Sequence, residues 1–245
     1  MPSLTRLPCA AALAAATSAA VGGCASSSSS SAPLAGQSPD QIVQKSVANL
    51  KAASSVRLTG KVVSSGQTIT LDLTDVAAHG CQGTIGLAAP ATSSSKAVAG
   101  TATIVEVGGT VYMKLDKAFF TSAGAPASDF SAVDGKYIKL TSTSDLASFA
   151  QLCEPSTIAG AFAKEDTGFV AAGTATVNGQ PALGFKQPKN ASNGTVYVSD
   201  TATPEIVRIA GPAGAGSVDF SDYNAASTIT APPANAIVDG SQYGL

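Results

Sequence analysis

Residues 55–76, SVRLTGKVVSSGQTITLDLTDV, decide the fold, because apolar and polar side chains alternate through two runs on either side of a short turn. The apolar positions are Val56, Leu58, Val62, Ile69, Leu71 and Leu73. A period of two puts successive side chains on opposite faces of a β-strand. Ser64-Ser65-Gly66 supplies the turn. The stretch therefore predicts an antiparallel hairpin with one apolar face and one face in water.

A single amphipathic helix is predicted just before this hairpin. Ser38, Pro39 and Asp40 are residues that favour a helix start, as the N-cap, as the first helical residue and as a negative charge at the positive end of the helix dipole. The apolar residues that follow fall on one stripe: Ile42, Val43, Val47 and Leu50. We expect this stripe to pack on the sheet.

The rest of the chain contains further strand signals interrupted by one helical region. Strands are predicted within 82–89, 101–107, 110–115, 135–140, 168–177, 180–187, 194–200, 205–211 and 216–224, with Asn178-Gly179 as a hairpin turn. Residues 144–164 lack alternation and predict one or two short helices that Pro155 divides. Residues 228–245 are predicted to be extended, since Pro232-Pro233 excludes a helix. The order predicts an α+β fold whose mostly antiparallel sheet of about 11 strands curls, with helices on its concave face.

The N-terminal segment has the layout of a secretory signal. Arg6 gives one positive charge, and residues 7–21 are uncharged and rich in alanine. The stretch Val21-Gly22-Gly23-Cys24 resembles a bacterial lipobox, in which the cysteine thiol receives a diacylglycerol and becomes the new N-terminus. The alternative is an ordinary secreted protein that is cleaved nearby, with Cys24 incidental. We expect a lipoprotein anchored at Cys24 on the extracytoplasmic face of the cell membrane.

These features predict three segments. Residues 1–23 form the signal peptide, residues 24–38 form a Ser-rich flexible tether, and residues 39–245 form one domain. Removal of Arg6 with the signal leaves a net charge of −3, and the sequence has no cluster of Lys and Arg. A nucleic-acid partner is therefore not expected. The abundance of Ala, Gly, Ser and Thr is typical of an actinobacterial protein.

Two cysteines remain in the domain, Cys81 and Cys153, because Cys9 leaves with the signal and Cys24 is assigned to the anchor. A lone pair of thiols outside the cytoplasm usually oxidises, so we expect a disulfide that joins the helical region to the sheet. A redox pair and metal ligands are the alternatives. A metal site is not expected, since His79 is the sole histidine and a zinc site needs three or four ligands.

The sequence offers no catalytic constellation. The GxSxG nucleophile motif is absent, and no nucleophile can be assigned to His79. We therefore expect no enzymatic activity and no cofactor, with a hydrolase kept as the least favoured interpretation.

The order of several motifs resembles a known group, the LppX/LprAFG-type lipoproteins of mycobacteria and related actinobacteria. Besides the lipobox and the first helix, the resemblance is carried by IVEVGGTVYMKL at 104–115, VNGQPALGFK at 177–186, TVYVSDTATPEIVRI at 195–209 and VDFSDYNAASTITAPPANAIVD at 218–239. It implies a curved antiparallel half-barrel similar to LolA and LolB. It also implies an apolar cavity between sheet and helices that holds an acylated lipid or glycolipid for transfer across the cell envelope, with a transporter partner that the sequence does not name.

In that interpretation the inward-facing strand residues line the cavity. They are Val56, Leu58, Val62, Ile69, Leu71, Leu73, Ile85 and Leu87. Sequence does not separate a cavity lining from a packed core. The alternative function is an envelope scaffold or signalling lipoprotein with a filled core and no lipid ligand.

Overall fold

A computed structural model describes residues 33–91, 97–155, 167–189, 194–243 and 245. The predicted signal peptide, Cys24 and most of the predicted tether lie outside these residues, as does the second predicted helix at 156–164. The strands are β1 Ser55–Ser64, β2 Gln67–Val76, β3 Gly80–Ala89, β4 Val98–Val107, β5 Thr110–Leu115, β6 Tyr137–Lys139, β7 Val170–Val177, β8 Gln180–Lys186, β9 Thr195–Ser199, β10 Ile206–Ala210, β11 Gly216–Ser221 and β12 Ile237–Asp239. The α-helices are α1 Pro39–Ala52, α2 Lys117–Ser122 and α3 Phe130–Val133.

These strands form one open sheet in the order β12-β6-β5-β4-β3-β2-β1-β11-β10-β9-β8-β7. Neighbouring strands are antiparallel except at β12, which runs parallel to β6. The predicted hairpin at 55–76 is present in register, with Leu58 opposite Leu73 and Val62 opposite Ile69. The turn predicted at Asn178-Gly179 joins β7 to β8, and both residues have positive φ.

The sheet curls around one apolar core, which forms on the face that we call the inner face. Side chains of β6 and of β8 belong to the same cluster of buried residues, although these two strands lie near opposite edges of the sheet. Ile138 of β6 and Phe185 of β8 are both members. The predicted α+β class, the curved antiparallel half-barrel and the helices on its concave face are confirmed.

Helix α1 covers one half of the inner face, where it packs against β7, β9 and β10. It begins as predicted: the Ser38 hydroxyl accepts a hydrogen bond from the Gln41 backbone N–H, and the Gln41 side chain accepts one from the Ser38 N–H. Residues 33–38, assigned to the tether from composition, instead form a turn with Leu34 buried in the core.

The other half of the inner face is covered by α2 and by a 3₁₀ segment, Asp145–Cys153. The α2 helix packs on β4 and β5, and the 3₁₀ segment packs on β2 and β3. Sequence analysis gave no helix between β5 and β6. Two consecutive phenylalanines, Phe119 and Phe120, are buried there, and Phe119 lies 5.9 Å from the ring of Phe149 in the 3₁₀ segment.

The C-terminal segment crosses the outer face of the sheet before it ends. Ile229 is buried between Val76 and Val105, two residues that point away from the inner face. The segment predicted to be extended then contains two short 3₁₀ turns, Ala234–Ala236 and Gly240–Tyr243, on either side of β12. This crossing joins β11, near the middle of the sheet, to the edge at β6.

Gly100 allows α2 to approach the sheet. A Cβ atom at this position would lie 2.8 Å from the Phe119 Cα atom, which is backbone and cannot move aside alone. We predict that Gly100→Ala lowers the free energy of unfolding by about 1–3 kcal/mol, measured by urea denaturation, because α2 must shift. Gly86→Ala is the matched control, since its Cβ would meet only the Thr70 side chain. Equal losses in the two variants would contradict this explanation.

Candidate functional site

The inner face is the candidate site, because all eight residues predicted to line a cavity lie on it. Five of them are buried in the core: Val56, Leu58, Leu71, Leu73 and Ile85. The other three, Val62, Ile69 and Leu87, are only partly buried and pack against that core. The inner face is therefore closed at its centre and incompletely covered elsewhere.

The three partly buried residues form a continuous row across three strands. Val62 lies opposite Ile69, and Ile69 lies opposite Leu87. Glycines extend the row on both sides, with Gly216 opposite Val62 and Gly100 opposite Leu87. We call this the open end of the sheet. It presents an apolar strip that is continuous with the core and accessible to water.

The opposite end of the inner face, here called the disulfide end, carries a second row with different chemistry. Asp75 lies opposite Cys81, and Cys81 lies opposite Glu106. Cys81 is bonded to Cys153, the last residue of the 3₁₀ segment, with a Cα–Cα distance of 5.3 Å. The bridge fixes this segment to the sheet, as sequence analysis expected it to do for the helical region.

Three carboxyl groups surround this disulfide. Asp75 and Glu106 are the cross-strand neighbours of Cys81, and Glu154 directly follows Cys153. Burial, together with the negative charges of Glu154 and Glu106, raises the pKa of Asp75 from 3.8 to about 7. One oxygen of Glu106 accepts a hydrogen bond from the Gly109 backbone N–H at 2.9 Å.

A groove of about 370 Å³ opens beside the three carboxyl groups. Lys51, at the end of α1, and His79, in the turn between β2 and β3, supply the basic groups of its lining. His79 is exposed. Within the described residues, no group of three or more His, Cys, Asp or Glu side chains could hold a metal ion.

Sequence analysis did not single out the carboxyl groups, although the sequence contains a signal for two of them. Asp75 is in phase with Leu71 and Leu73, and Glu106 is in phase with Ile104. An acidic residue at an apolar position of an alternating strand indicates a charge on the buried face. Glu154 had no such signal, because the disulfide brings it to the site.

The outer face carries a larger and more open groove of about 580 Å³. Its lining includes Thr74 and Gln82, and Arg57 donates two hydrogen bonds to Asp72 within it, each 2.9 Å long. Arg57 and Asp72 belong to the hairpin that contains Leu58 and Leu73, so the same alternation that builds the core places them in water. The outer groove is therefore separated from the apolar inner face by the thickness of the sheet.

The raised pKa of Asp75 predicts a pH-dependent stability. The folded protein binds this proton more tightly than the unfolded chain, so the stabilisation is complete below about pH 4 and is lost as the pH rises to about 7. In the parent protein, the free energy of unfolding should fall between pH 4 and pH 7. We predict that this fall is about 1–2 kcal/mol smaller in Asp75→Asn. The value allows for screening by solvent, because Asp75 is only partly buried. Denaturation at a series of pH values measures it.

Asp72→Asn is the control for this experiment. Hydrogen bonds from Arg57 hold the pKa of Asp72 below its ordinary value. Its contribution to stability is present above that ordinary value and is lost as the pH falls through the lowered one. Asp72→Asn should therefore alter the pH dependence of the free energy of unfolding below about pH 4 and leave it as in the parent protein between pH 4 and pH 7. An unchanged slope in Asp75→Asn would contradict the assignment.

None of the helices among the described residues has both the length and the apolar character needed to cross a bilayer. No protein-family model matches the chain. A search of curated proteins also gives no match.

Solved structures do resemble the chain. LprF from Mycobacterium bovis matches with 17% identity and a TM-score of 0.49, over 79% of this chain and 96% of that one. The lipoprotein LppX from Mycobacterium tuberculosis matches with 15% identity and a TM-score of 0.41, over 78% and 97%. An uncharacterized conserved protein from Thermus thermophilus matches with 10% identity and a TM-score of 0.34, over 83% and 99%. The chain is thus similar to LprF and to the lipoprotein LppX, which belong to the group that its sequence motifs resemble.

Proposed function

We propose that the chain is a lipoprotein, anchored to the extracytoplasmic face of the cell membrane through Cys24, that binds an acylated lipid or glycolipid against its inner face. The observation that carries the proposal is the open end. Val62, Ile69 and Leu87 form an apolar strip that the helices cover only in part. A ligand that covers the strip would remove this apolar surface from water, which is favourable.

The chemistry of the strip suits an acyl chain. Its side chains are aliphatic, and it joins the core without an intervening polar group, since Leu71 and Ile85 lie next to Ile69 and Leu87 on the same face. A methylene chain laid on this strip would gain about 25 cal/mol for each Å² of apolar surface removed from water. Polar headgroup atoms would remain at the open end, in contact with solvent.

The buried centre of the inner face limits how far a ligand can extend from the open end. Leu58, Leu73 and Ile85 have no exposed surface. An acyl chain that reached deeper would have to displace α2 or the 3₁₀ segment. A scaffold with a filled core is the competing function, and the experiment below separates the two.

The apolar strip predicts the site of lipid uptake. Ile69→Asp should weaken binding of a fluorescent fatty acid about tenfold, because burial of one aliphatic side chain is worth about 1.5–3 kcal/mol. Thr70→Asp is the matched control, since Thr70 is the next residue and its side chain lies on the outer face. The readouts are fluorescence titration and native mass spectrometry of the chain from residue 24 on.

If the parent protein carries no lipid in native mass spectrometry and takes up no fatty acid, the filled-core scaffold replaces this proposal. Equal losses in the two variants would place the ligand away from the open end.

The anchor gives a second prediction. Cys24→Ala should move the protein from the membrane fraction to the soluble extracytoplasmic fraction and abolish its labelling by an alkyne analogue of palmitate, because the acylated thiol is removed. Two or more acyl chains hold a protein firmly at a bilayer, where one chain alone is marginal. Cys9→Ala is the control, since Cys9 lies within the predicted signal. Continued labelling of Cys24→Ala would exclude the lipobox assignment.

A further inference from the structure

The open end also differs from the disulfide end in charge, and the strand register makes the difference clear. One row of paired residues runs from Lys186 of β8 through Thr195, Ala210 and Ser217 to Lys61 of β1. From Lys61 the row continues through Thr70, Gly86 and Thr101. The two lysines therefore lie at the same height on the sheet, at the open end. Their side chains lie on the outer face, one residue out of phase with Val62 and Phe185 of the inner face.

Two more lysines lie at this end. Lys117 begins α2 and directly follows Asp116, whose backbone N–H donates to the Thr101 carbonyl at 3.0 Å. Lys189 lies three residues beyond Lys186 in the connection between β8 and β9. All four side chains are exposed. Among the described residues, the ion pairs involve arginine alone, so none of these lysines is held by a described carboxylate.

Two acidic residues of the open end accept hydrogen bonds from backbone N–H groups. Asp116 accepts hydrogen bonds from the Phe119 and Thr101 N–H groups, each 2.7 Å long. Asp40 accepts from the Gly168 and Phe169 N–H groups at 3.0 and 2.8 Å. Both carboxylates are fixed in place for local reasons, and the four lysines extend into water.

The disulfide end has the opposite charge. Its acidic residues are Asp75, Glu106, Glu154, Asp200, Glu205 and Asp222. Its basic residues include Lys51, at the end of α1, and Lys45, whose ammonium group donates to the Ala202 carbonyl. The domain is therefore polarised along its strands, with exposed lysines at the open end and carboxylates at the disulfide end.

The chain enters the domain at the open end. Asp40, in the first turn of α1, bonds to the two residues that precede β7, and Val170 of β7 lies opposite Lys186 in the row described above. Only nine peptide units separate Cys24 from Pro33, the first described residue. At about 3.5 Å for each residue this segment spans at most roughly 30 Å. A lipid on Cys24 would therefore keep the first described residue, Pro33, within about 30 Å of the membrane.

We propose that the open end docks on an anionic lipid surface, with Lys61, Lys117, Lys186 and Lys189 against the headgroups and the strip of Val62, Ile69 and Leu87 facing the bilayer. The proposal rests on the anchoring at Cys24 proposed above. It adds an orientation: the opening of the apolar face meets the membrane, and the carboxylates of the disulfide end point away from it. A lipid would then pass between bilayer and protein without crossing bulk water.

The test uses the chain from residue 24 on with Cys24→Ser, which has no acyl anchor, and vesicles made of phosphatidylcholine and phosphatidylglycerol in equal parts. Co-sedimentation should show binding that decreases steeply with added salt and is absent with phosphatidylcholine alone. Lys61→Gln with Lys186→Gln should weaken binding about fivefold for each lysine removed. Lys45→Gln with Lys51→Gln is the control of equal charge at the disulfide end and should bind as the parent does.

Three results would overturn the proposal: no binding of the parent protein to the anionic vesicles, binding that salt does not reduce, or equal losses in the two double variants. Melting curves confirm that both variants are folded. Fatty-acid titration of the same proteins in solution separates this proposal from the lipid-binding function. If the protein takes up fatty acid but does not bind vesicles, the lipid-binding proposal stands and the proposed docking of the open end on the membrane is excluded.

Discussion

The packing of short helices on one face of a single curled sheet is the interaction on which the rest of the structure depends. A sheet with one apolar face must cover that face, and here α1 covers one half while α2 and the 3₁₀ segment cover the other. At the centre of the sheet, Leu58 and Leu73 are fully buried, and at the open end Val62 and Ile69 are not. The exposed strip lies where these helical segments leave the inner face incompletely covered.

Much of the fold could be predicted from the sequence, because strands with one wet face have a period that is visible in the residues. The hairpin at 55–76, α1 with its Ser38 cap and the turn at Asn178-Gly179 depend on local chemistry. The helix at Lys117–Ser122 was missed, since six residues are too few to show helical periodicity. The strand at Ile237–Asp239 was missed because its pairing with β6 is a contact between distant parts of the chain.

The candidate site shows the same division. The eight inward-facing residues could be assigned to one face from alternation alone, because the pleat fixes side-chain direction. Which of them are covered depends on where α2 and the 3₁₀ segment pack, and that is a tertiary property. The carboxyl groups at the disulfide end became a cluster only when Cys81 and Cys153 brought Glu154 beside Asp75 and Glu106. The lysines at the open end likewise share a row only through strand register.

The parallel pairing of β12 with β6 has a consequence for how the molecule is completed. Val238 pairs with Ile138, so one border of the sheet is formed by a strand that follows all the other described strands in the chain. Until this strand is made, β6 has unpaired N–H and C=O groups along its free side, and the crossing segment with Ile229 has not yet covered Val76 and Val105. A polypeptide that is made from its N-terminus therefore contains the rest of the described sheet before that border can form.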